Sequence, residues 1–415
     1  MGTAPVSQTP TNHPAPDLSG LISDRSRAID ASGIRRIFAL AATLDNPINL
    51  SIGQPDFPVP GSVREAASAA IESGVNGYTP TQGHPALLER VCSWLKTDLD
   101  WDAPAVGKPS DSAAATFVTT GTSGALQLAF MALLNPGDEC IIGDPYFVSY
   151  PHLATMCGAT AIKADTYPDF RLTAERVEPL INSKTKFVLL NTPSNPSGVT
   201  LTEQECADLR ALCASRGVVL ISDEIYDEFV FSDGLTDSCA NDPSIKRFPT
   251  PARGSSASES VLLIRGFGKT YGCTGWRLGY ASGPRGVIDE MAKLQQYTFV
   301  CAPAPLQAGA VACFDADMRP MVAEYETRRD MILAKLGGLT SIASPSGAFY
   351  AFVEVPARLG MTGTQFAEKL IEHKVLVIPG GAFSGRDTHF RISFATDPVK
   401  LRAGLEIISG LMAEG

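Results

Sequence analysis

Ser260-Val-Leu-Leu-Ile-Arg-Gly-Phe-Gly-Lys269-Thr-Tyr-Gly-Cys-Thr-Gly-Trp-Arg277-Leu-Gly-Tyr280 opens as an apolar run and empties into a lysine flanked by glycines. The run predicts a buried strand ending just before Lys269. Gly266, Gly268, Gly272 and Gly275 leave space beside that lysine, which suits an amine that must form a Schiff base with a bulky aldehyde. Arg277 then supplies a cation for an anionic group. A strand followed by Gly-x-Gly-Lys-Thr has something of a nucleotide-phosphate loop, but Leu263 stands where the first glycine of that pattern belongs.

Outward from this stretch, short apolar runs alternate with helical segments between about residues 60 and 300: Ala115–Val118, Glu139–Ile142, Ala159–Lys163, Lys186–Leu190, Val218–Ser222 and Val261–Ile264. The alternation predicts an α/β fold with a mainly parallel sheet covered by helices. In such sheets ligands bind beyond the carboxyl ends of the strands, so the residues after each run are the candidate site. Residues 232–260 are rich in Ser, Asp, Pro and Gly without periodicity and read as a partly mobile surface loop. Beyond about residue 305 a smaller α+β domain is expected, to which residues 25–50 return.

The residues after the runs share a polar, ligand-binding character. Val118 leads into Thr119-Thr-Gly-Thr122-Ser123-Gly-Ala, a helix start whose free N–H groups and hydroxyls suit a phosphate, although plain capping would use the same residues. Tyr146 and Phe147 follow the next run and offer an aromatic face. Asn191-Thr-Pro-Ser-Asn195-Pro-Ser-Gly holds Asn195 between two prolines. Asp223 ends an apolar strand, where an ionised carboxylate needs a cationic partner, with Tyr226 three residues on. Arg391, among apolar neighbours in Phe390-Arg-Ile-Ser-Phe-Ala395, needs an anion.

Taken together, the lysine segment and these runs resemble the class I/II aminotransferases, aspartate-aminotransferase-like enzymes of fold type I that use pyridoxal 5'-phosphate. Asn49-Leu-Ser-Ile-Gly53-Gln-Pro-Asp-Phe57 and Tyr78-Thr-Pro-Thr-Gln-Gly83 extend the resemblance, so that its motifs fall in family order over roughly residues 49–395. It implies a large domain with a seven-stranded sheet at residues 61–305, a small α+β domain from 25–60 plus 306–415, and a disordered segment at 1–24.

The same resemblance implies the roles. Lys269 carries the cofactor, Asp223 pairs with the pyridine nitrogen, and Tyr226 and Asn195 reach the phenolic oxygen. Phe147 stacks on the ring, and Thr122, Ser123 and Arg277 hold the phosphate. Gly53, Asn195 and Arg391 face the substrate, Arg391 gripping its α-carboxylate. Tyr78 reaches the phosphate of the neighbouring subunit, which implies a homodimer. The implied reaction is ping-pong transfer of an amino group from an L-amino acid to a 2-oxo acid. Members often carry Ser or Ala just before the lysine, where Gly268 stands here, which places more of the phosphate's binding on Arg277, Thr122 and Ser123.

The donor stays open. Phe267-Gly-Lys-Thr-Tyr and Gln296-Tyr-Thr-Phe-Val-Cys resemble the kynurenine, glutamine and methionine branch, whereas Pro145-Tyr-Phe resembles bacterial aspartate aminotransferases; Arg35 and Arg36 are the candidates for a distal carboxylate. A pyridoxal-phosphate lyase, either a carbon–sulfur β-lyase or aminocyclopropane-carboxylate-synthase-like, would share nearly all of these residues. A cofactor-binding sensor is disfavoured, because the roughly 45 residues before the first motif are too few for a DNA-binding domain.

Bulk properties agree with a small-molecule enzyme. At 415 residues and 44% hydrophobic the chain is long enough for two domains, and a net charge of −10 gives no footprint for nucleic acid or an anionic membrane. Nine cysteines without paired spacing read as reduced core residues, and the absence of a metal-ligand pattern argues for no metal. Residues 1–20 lack a secretory pattern, so a cytoplasmic location is expected.

Overall fold

The computed structural model describes residues 17–29, 44–254 and 257–414. Strand β1 (Ile48–Asn49) belongs to the small domain, and the next strands, β2 (Ala114–Thr119), β3 (Glu139–Asp144), β4 (Thr160–Asp165), β5 (Thr185–Asn191) and β6 (Val219–Asp223), build the large sheet. A two-stranded ribbon, β7 (Asp237–Ser238) with β8 (Lys246–Arg247), precedes β9 (Val261–Gly266) and β10 (Gly279–Pro284). The small domain contains β11 (Tyr350–Glu354), β12 (Val375–Leu376), β13 (Ile378–Pro379) and β14 (His389–Ser393).

The large sheet has seven strands in the order β2-β10-β9-β6-β5-β3-β4. Only β10 runs antiparallel to its neighbours. Strands β2, β5, β6, β9 and β10 are almost wholly buried on both faces, with β3 buried at its centre and the edge strand β4 largely not, the pattern expected when helices cover a parallel sheet. Register then aligns the chemistry: Asn191 pairs with Asp223, Asp223 with Ile264, and Gly279 with both Gly266 and Thr119. Asn191, Asp223, Gly266 and Thr119 therefore stand along one carboxyl edge.

Four of the six expected runs fall within strands, the runs at Ala159–Lys163 and Val218–Ser222 each begin one residue ahead of theirs, and β10 is the large-sheet strand that no run announced. Its sequence, Gly-Tyr-Ala-Ser-Gly-Pro, is too glycine-rich to stand out as an apolar run. In the small domain β1 pairs with β12, while β14 lies between β11 and β13, and Leu50 joins the same hydrophobic cluster as Phe349, Phe366 and Phe390.

Two expectations change. The boundary expected at residue 306 falls inside a helix, Ala304–Ala310, that packs on the large-domain helix Gly61–Glu72, and Ala310 and Cys313 lie in the large-domain cluster. We place the boundary instead near residue 316, ahead of the long helix Arg319–Leu336 whose Val322, Tyr325 and Ile332 pack into the small-domain cluster. Residues 232–260 are not a loose surface loop: they carry the β7–β8 ribbon and bury Arg247, Phe248, Thr250 and Ala252. Ion pairing, invisible to periodicity, is the reason, because Arg247 turns inward to meet Asp98. Residues 17–24 contain a short turn of 3-10 helix at Ser19–Leu21, and the remainder of the segment expected to be disordered lies outside the described residues, as do Arg35 and Arg36.

Candidate active site

Ten of the eleven expected site residues line a single cavity of about 580 Å³ between the carboxyl edge of the large sheet and the small domain: Gly53, Thr122, Ser123, Phe147, Asn195, Asp223, Tyr226, Lys269, Arg277 and Arg391. The eleventh, Tyr78, does not line it and is 88% exposed.

Lys269 follows β9, and its Nζ donates to the Gly53 carbonyl oxygen at 2.5 Å. Burial, with Arg391 and Arg277 nearby, lowers its pKa to about 8, against a smaller opposing effect of Asp223. An amine in that range has a neutral fraction near physiological pH hundreds of times that of an ordinary lysine, roughly one-fifth of molecules, and is a competent nucleophile and base.

Asp223 ends β6 with one carboxylate oxygen bound by the Tyr150 hydroxyl at 2.7 Å. The other oxygen is buried with no hydrogen-bond partner. Burial raises the Asp223 pKa to about 6, with Tyr150 and the Ile225 N–H pulling the other way. A carboxylate left half satisfied at a cavity wall is suited to a cationic N–H from a ligand.

Asn195 is fixed from behind, since its backbone N–H donates to Asn191 Oδ1 at 2.7 Å. Arg391 Nη1 donates to Asn195 Oδ1 at 3.0 Å and Nη2 to the Ser51 carbonyl at 2.9 Å. A guanidinium has only donors, so the amide oxygen of Asn195 must face it, leaving the NH₂ for the cavity. Arg391 is 2% exposed and meets no carboxylate within the described residues, so its charge calls for an anion from outside the chain.

The other end of the cavity suits a second anion. The helix Gly121–Leu133 presents its N-terminus there, with Thr122 and Ser123 in its first turn and no side-chain cap. Arg277 Nη2 lies 3.4 Å from Ser123 Oγ. Gly121 is required at this point: its φ is +70°, and a Cβ would come within 2.9 Å of Arg277 Nη2. Arg277 itself takes a left-handed conformation, φ +54°, which a residue with a Cβ adopts at some cost. Phe147 lies beside Tyr150, their rings edge to face at 5.6 Å.

Three contributors escaped the sequence reading. Tyr150 and Tyr350 line the cavity as buried tyrosines that look like core residues in the sequence, and Asn191 looks there like part of the turn holding Asn195. For Tyr150 one signal was available, since it lies one helical turn beyond Phe147. A buried ion network sits directly behind Asp223. The carboxylate of Asp98, wholly buried, meets Arg247 at 3.2 Å, Arg253 at 3.1 Å and Arg265 at 2.7 Å; burial pushes its pKa up, and these three guanidinium groups together outweigh that and hold it well below the usual carboxylate range. Glu224, next to Asp223, accepts from Arg265 Nε at 3.0 Å and from Ser222 at 2.7 Å.

The sequence model of the family described as aminotransferase class I and II matches residues 45–408. The chain belongs to this family. It is 35% identical over 398 residues, 94% of this chain and 99% of the other, to a protein named "Probable aspartate aminotransferase" from Methanocaldococcus jannaschii. It is 30% identical over 404 residues to the aromatic-amino-acid aminotransferase 2 of Thermococcus litoralis, covering 95% of this chain and 98% of that one. Among solved structures, the aspartate aminotransferase of Thermotoga maritima superposes with a TM-score of 0.84 at 32% identity, over 94% of this chain and 99% of that chain.

The family's cofactor is pyridoxal 5'-phosphate, and the aminotransferase cavity here fits it. The unpartnered oxygen of Asp223 suits a protonated ring nitrogen, and the helix start with Ser123 and Arg277 suits a phosphate. Lys269 lines the same cavity as both, where an aldehyde between them would be met.

Proposed function

We propose that this aminotransferase works as a homodimer, by two half-reactions at one site, with an L-amino acid of neutral or aromatic side chain as donor and a 2-oxo acid as acceptor. The observation that carries it is the single cavity shared by Lys269, Asp223 and Arg391. Pyridoxal phosphate, when bound, supplies an electron sink conjugated to the substrate's Cα. Arg391 grips the α-carboxylate with its planar fork and so orients the Cα–H bond. Lys269 Nζ takes the Cα proton, its lowered pKa suiting it to act as base near neutral pH. Asp223 holds the ring end through its free oxygen, and Asn195 and Tyr226 place donors on the opposite side.

Charge supports the choice of donor. The charged residues lining the cavity among the described residues are Asp223, Lys269, Arg277 and Arg391, and each has a partner in the scheme above. A distal carboxylate, as in aspartate, needs another cation, from Arg35 or Arg36 or from a second subunit. The relatives named for aspartate and for aromatic amino acids bracket both cases.

The dimer is supported by exposed side chains that a lone chain would not be expected to present. Tyr78 is 88% and Tyr297 84% exposed, and Arg277, at the phosphate end, also opens to solvent. Tyr78 is held out by a clamp of two buried amides. Gln307 donates to Thr79 Oγ1 and accepts from the His84 N–H, and Gln295 donates to the Thr81 carbonyl. Nine free thiols, most of them buried, support a reducing compartment such as the cytoplasm.

Adding phenylalanine, methionine or aspartate singly to cofactor-loaded protein, with no 2-oxo acid present, tests the donor. Conversion by the neutral or aromatic donors at far lower concentration than by aspartate is expected, and the reverse order would overturn the choice.

A further inference from the structure

Tyr350 stands at the start of β11 in the small domain, 1% exposed, and its contacts reach three separate parts of the site. Its ring lies under the guanidinium of Arg391, 4.3 Å from the guanidinium carbon to the ring centroid, and Phe383 lies 4.8 Å from the same group. Its hydroxyl is 3.2 Å from the Tyr226 hydroxyl, which comes from the large domain. A Cβ on Gly53 would stand 3.0 Å from the same Tyr350 oxygen, so the absence of a side chain at residue 53 leaves room for it. Arg391 is thus backed by an aromatic face, and the Tyr226 hydroxyl finds its protein hydrogen-bond partner, among the described residues, in the other domain.

We propose that Tyr350 is a positioning residue with two separable jobs: its ring holds Arg391 for the substrate carboxylate, and its hydroxyl orients the Tyr226 proton toward the cofactor's phenolic oxygen. The second job rests on the placement of Tyr226 beside that oxygen given above. A tyrosine hydroxyl carries one proton and two lone pairs. Here Tyr226 donates to Tyr350. With an anionic oxygen in the cavity, a charge-assisted bond is the stronger use of that proton. Tyr226 then donates to the anion and Tyr350 turns to donate to Tyr226, giving two hydroxyls in series that polarise one another. The small domain thereby joins carboxylate capture and cofactor tuning through one side chain.

The ring and the hydroxyl are separated by two substitutions in the cofactor-loaded enzyme. Tyr350→Phe keeps the ring under Arg391 and removes the outer hydroxyl. Tyr350→Leu removes both. The readouts are the pH midpoint of the visible absorbance change of the lysine-bound cofactor, and the dissociation constant of 3-phenylpropanoate, a carboxylate with no amino group to react. For Tyr350→Phe the midpoint is expected to rise by about half a pH unit, because a weakened bond to the anion favours protonation, while 3-phenylpropanoate binds within about twofold of wild type. For Tyr350→Leu the midpoint is expected to rise similarly and 3-phenylpropanoate to bind roughly tenfold more weakly.

Tyr226→Phe is measured alongside. If it raises the midpoint and Tyr350→Phe leaves it unchanged or lowers it, the hydroxyl relay is overturned and the placement of Tyr226 stands. If neither substitution moves the midpoint, that placement fails and the relay fails with it. Unchanged binding of 3-phenylpropanoate to Tyr350→Leu would overturn the role of the ring.

Discussion

Lys269 Nζ lies 2.5 Å from the carbonyl oxygen of Gly53, a hydrogen bond from the end of a large-domain strand to the segment that returns to the small domain. Lys269 is buried beside two arginines, Arg391 and Arg277, and that burial, reinforced by their charge, is why the nitrogen loses its proton readily.

The lowered pKa of Lys269 sets a pH dependence. Below about 8 the amine is protonated and unreactive, and above it the nucleophile is free. The rate at which cofactor-free protein captures pyridoxal phosphate covalently is therefore expected to rise through a midpoint near 8 rather than near 10.5. Stopped-flow absorbance across pH 6–11 checks this, and a midpoint at the ordinary lysine value would remove Lys269 from its buried, charge-crowded setting. Lys269→Ala should give no borohydride-reducible adduct while retaining some cofactor through the phosphate contacts.

Asp223 works in the opposite sense. Burial pushes its carboxyl up to about 6, so it is ionised above that pH and neutral below it. Only the ionised form attracts a protonated ring nitrogen. Cofactor affinity is expected to fall as pH drops through 6, measured by equilibrium dialysis between pH 5 and 7.5, and a flat profile would contradict the pairing. Asp223→Asn should lower kcat on the order of 100-fold or more by removing that charge.

Arg391→Ala leaves Asn195 Oδ1 and the Ser51 carbonyl without their donor and the substrate carboxylate without its partner. We expect a loss of roughly 1.5–3 kcal/mol in kcat/KM, about equal for donors of every side chain. Arg391→Lys should rescue little, since an ammonium lacks the planar fork. A loss confined to one class of side chain would place Arg391 at the distal end of the substrate instead.

Gln307 is wholly buried and bridges Thr79, His84 and the Ala302 carbonyl. Gln307→Leu strands those groups, at a cost of about 1–3 kcal/mol if they stay dry. If the clamp serves Tyr78, cofactor retention falls as well, and falls no further when Tyr78→Phe is added. Additive losses measured by dialysis would show that the clamp and Tyr78 act separately.

Asp98 sits among Arg247, Arg253 and Arg265 with no exposure to solvent. Asp98→Ala leaves buried guanidinium groups uncompensated and is expected to cost ~3–5 kcal/mol in unfolding free energy, read from denaturant melts. A loss under about 1 kcal/mol would show that water reaches the network.

Much of this was legible in the sequence for a physical reason. A parallel sheet with both faces covered makes its strands read as apolar runs, and ligands gather at their ends, so Asp223, Lys269 and Asn195 announced themselves by position as much as by type. What stayed hidden depends on three-dimensional pairing. Tyr350 is a buried aromatic indistinguishable by pattern from core residues such as Phe187, and Tyr150 differs from them only by lying one turn beyond Phe147. Asp98 looks like an ordinary polar position on the helix Pro85–Leu99 until Arg247, about 150 residues away, folds against it. The Ser/Pro/Gly-rich composition of 232–260 suggested a loop because ion pairing carries no periodicity.

The most direct test of the aminotransferase site is the absorbance of pyridoxal-phosphate-loaded protein on addition of one amino acid without any 2-oxo acid. The account predicts loss of the lysine-bound cofactor band, appearance of pyridoxamine phosphate, and 2-oxo acid released once per site. Release of ammonia or thiol without pyridoxamine phosphate would contradict it, as would the absence of a lysine-bound band before any amino acid is added.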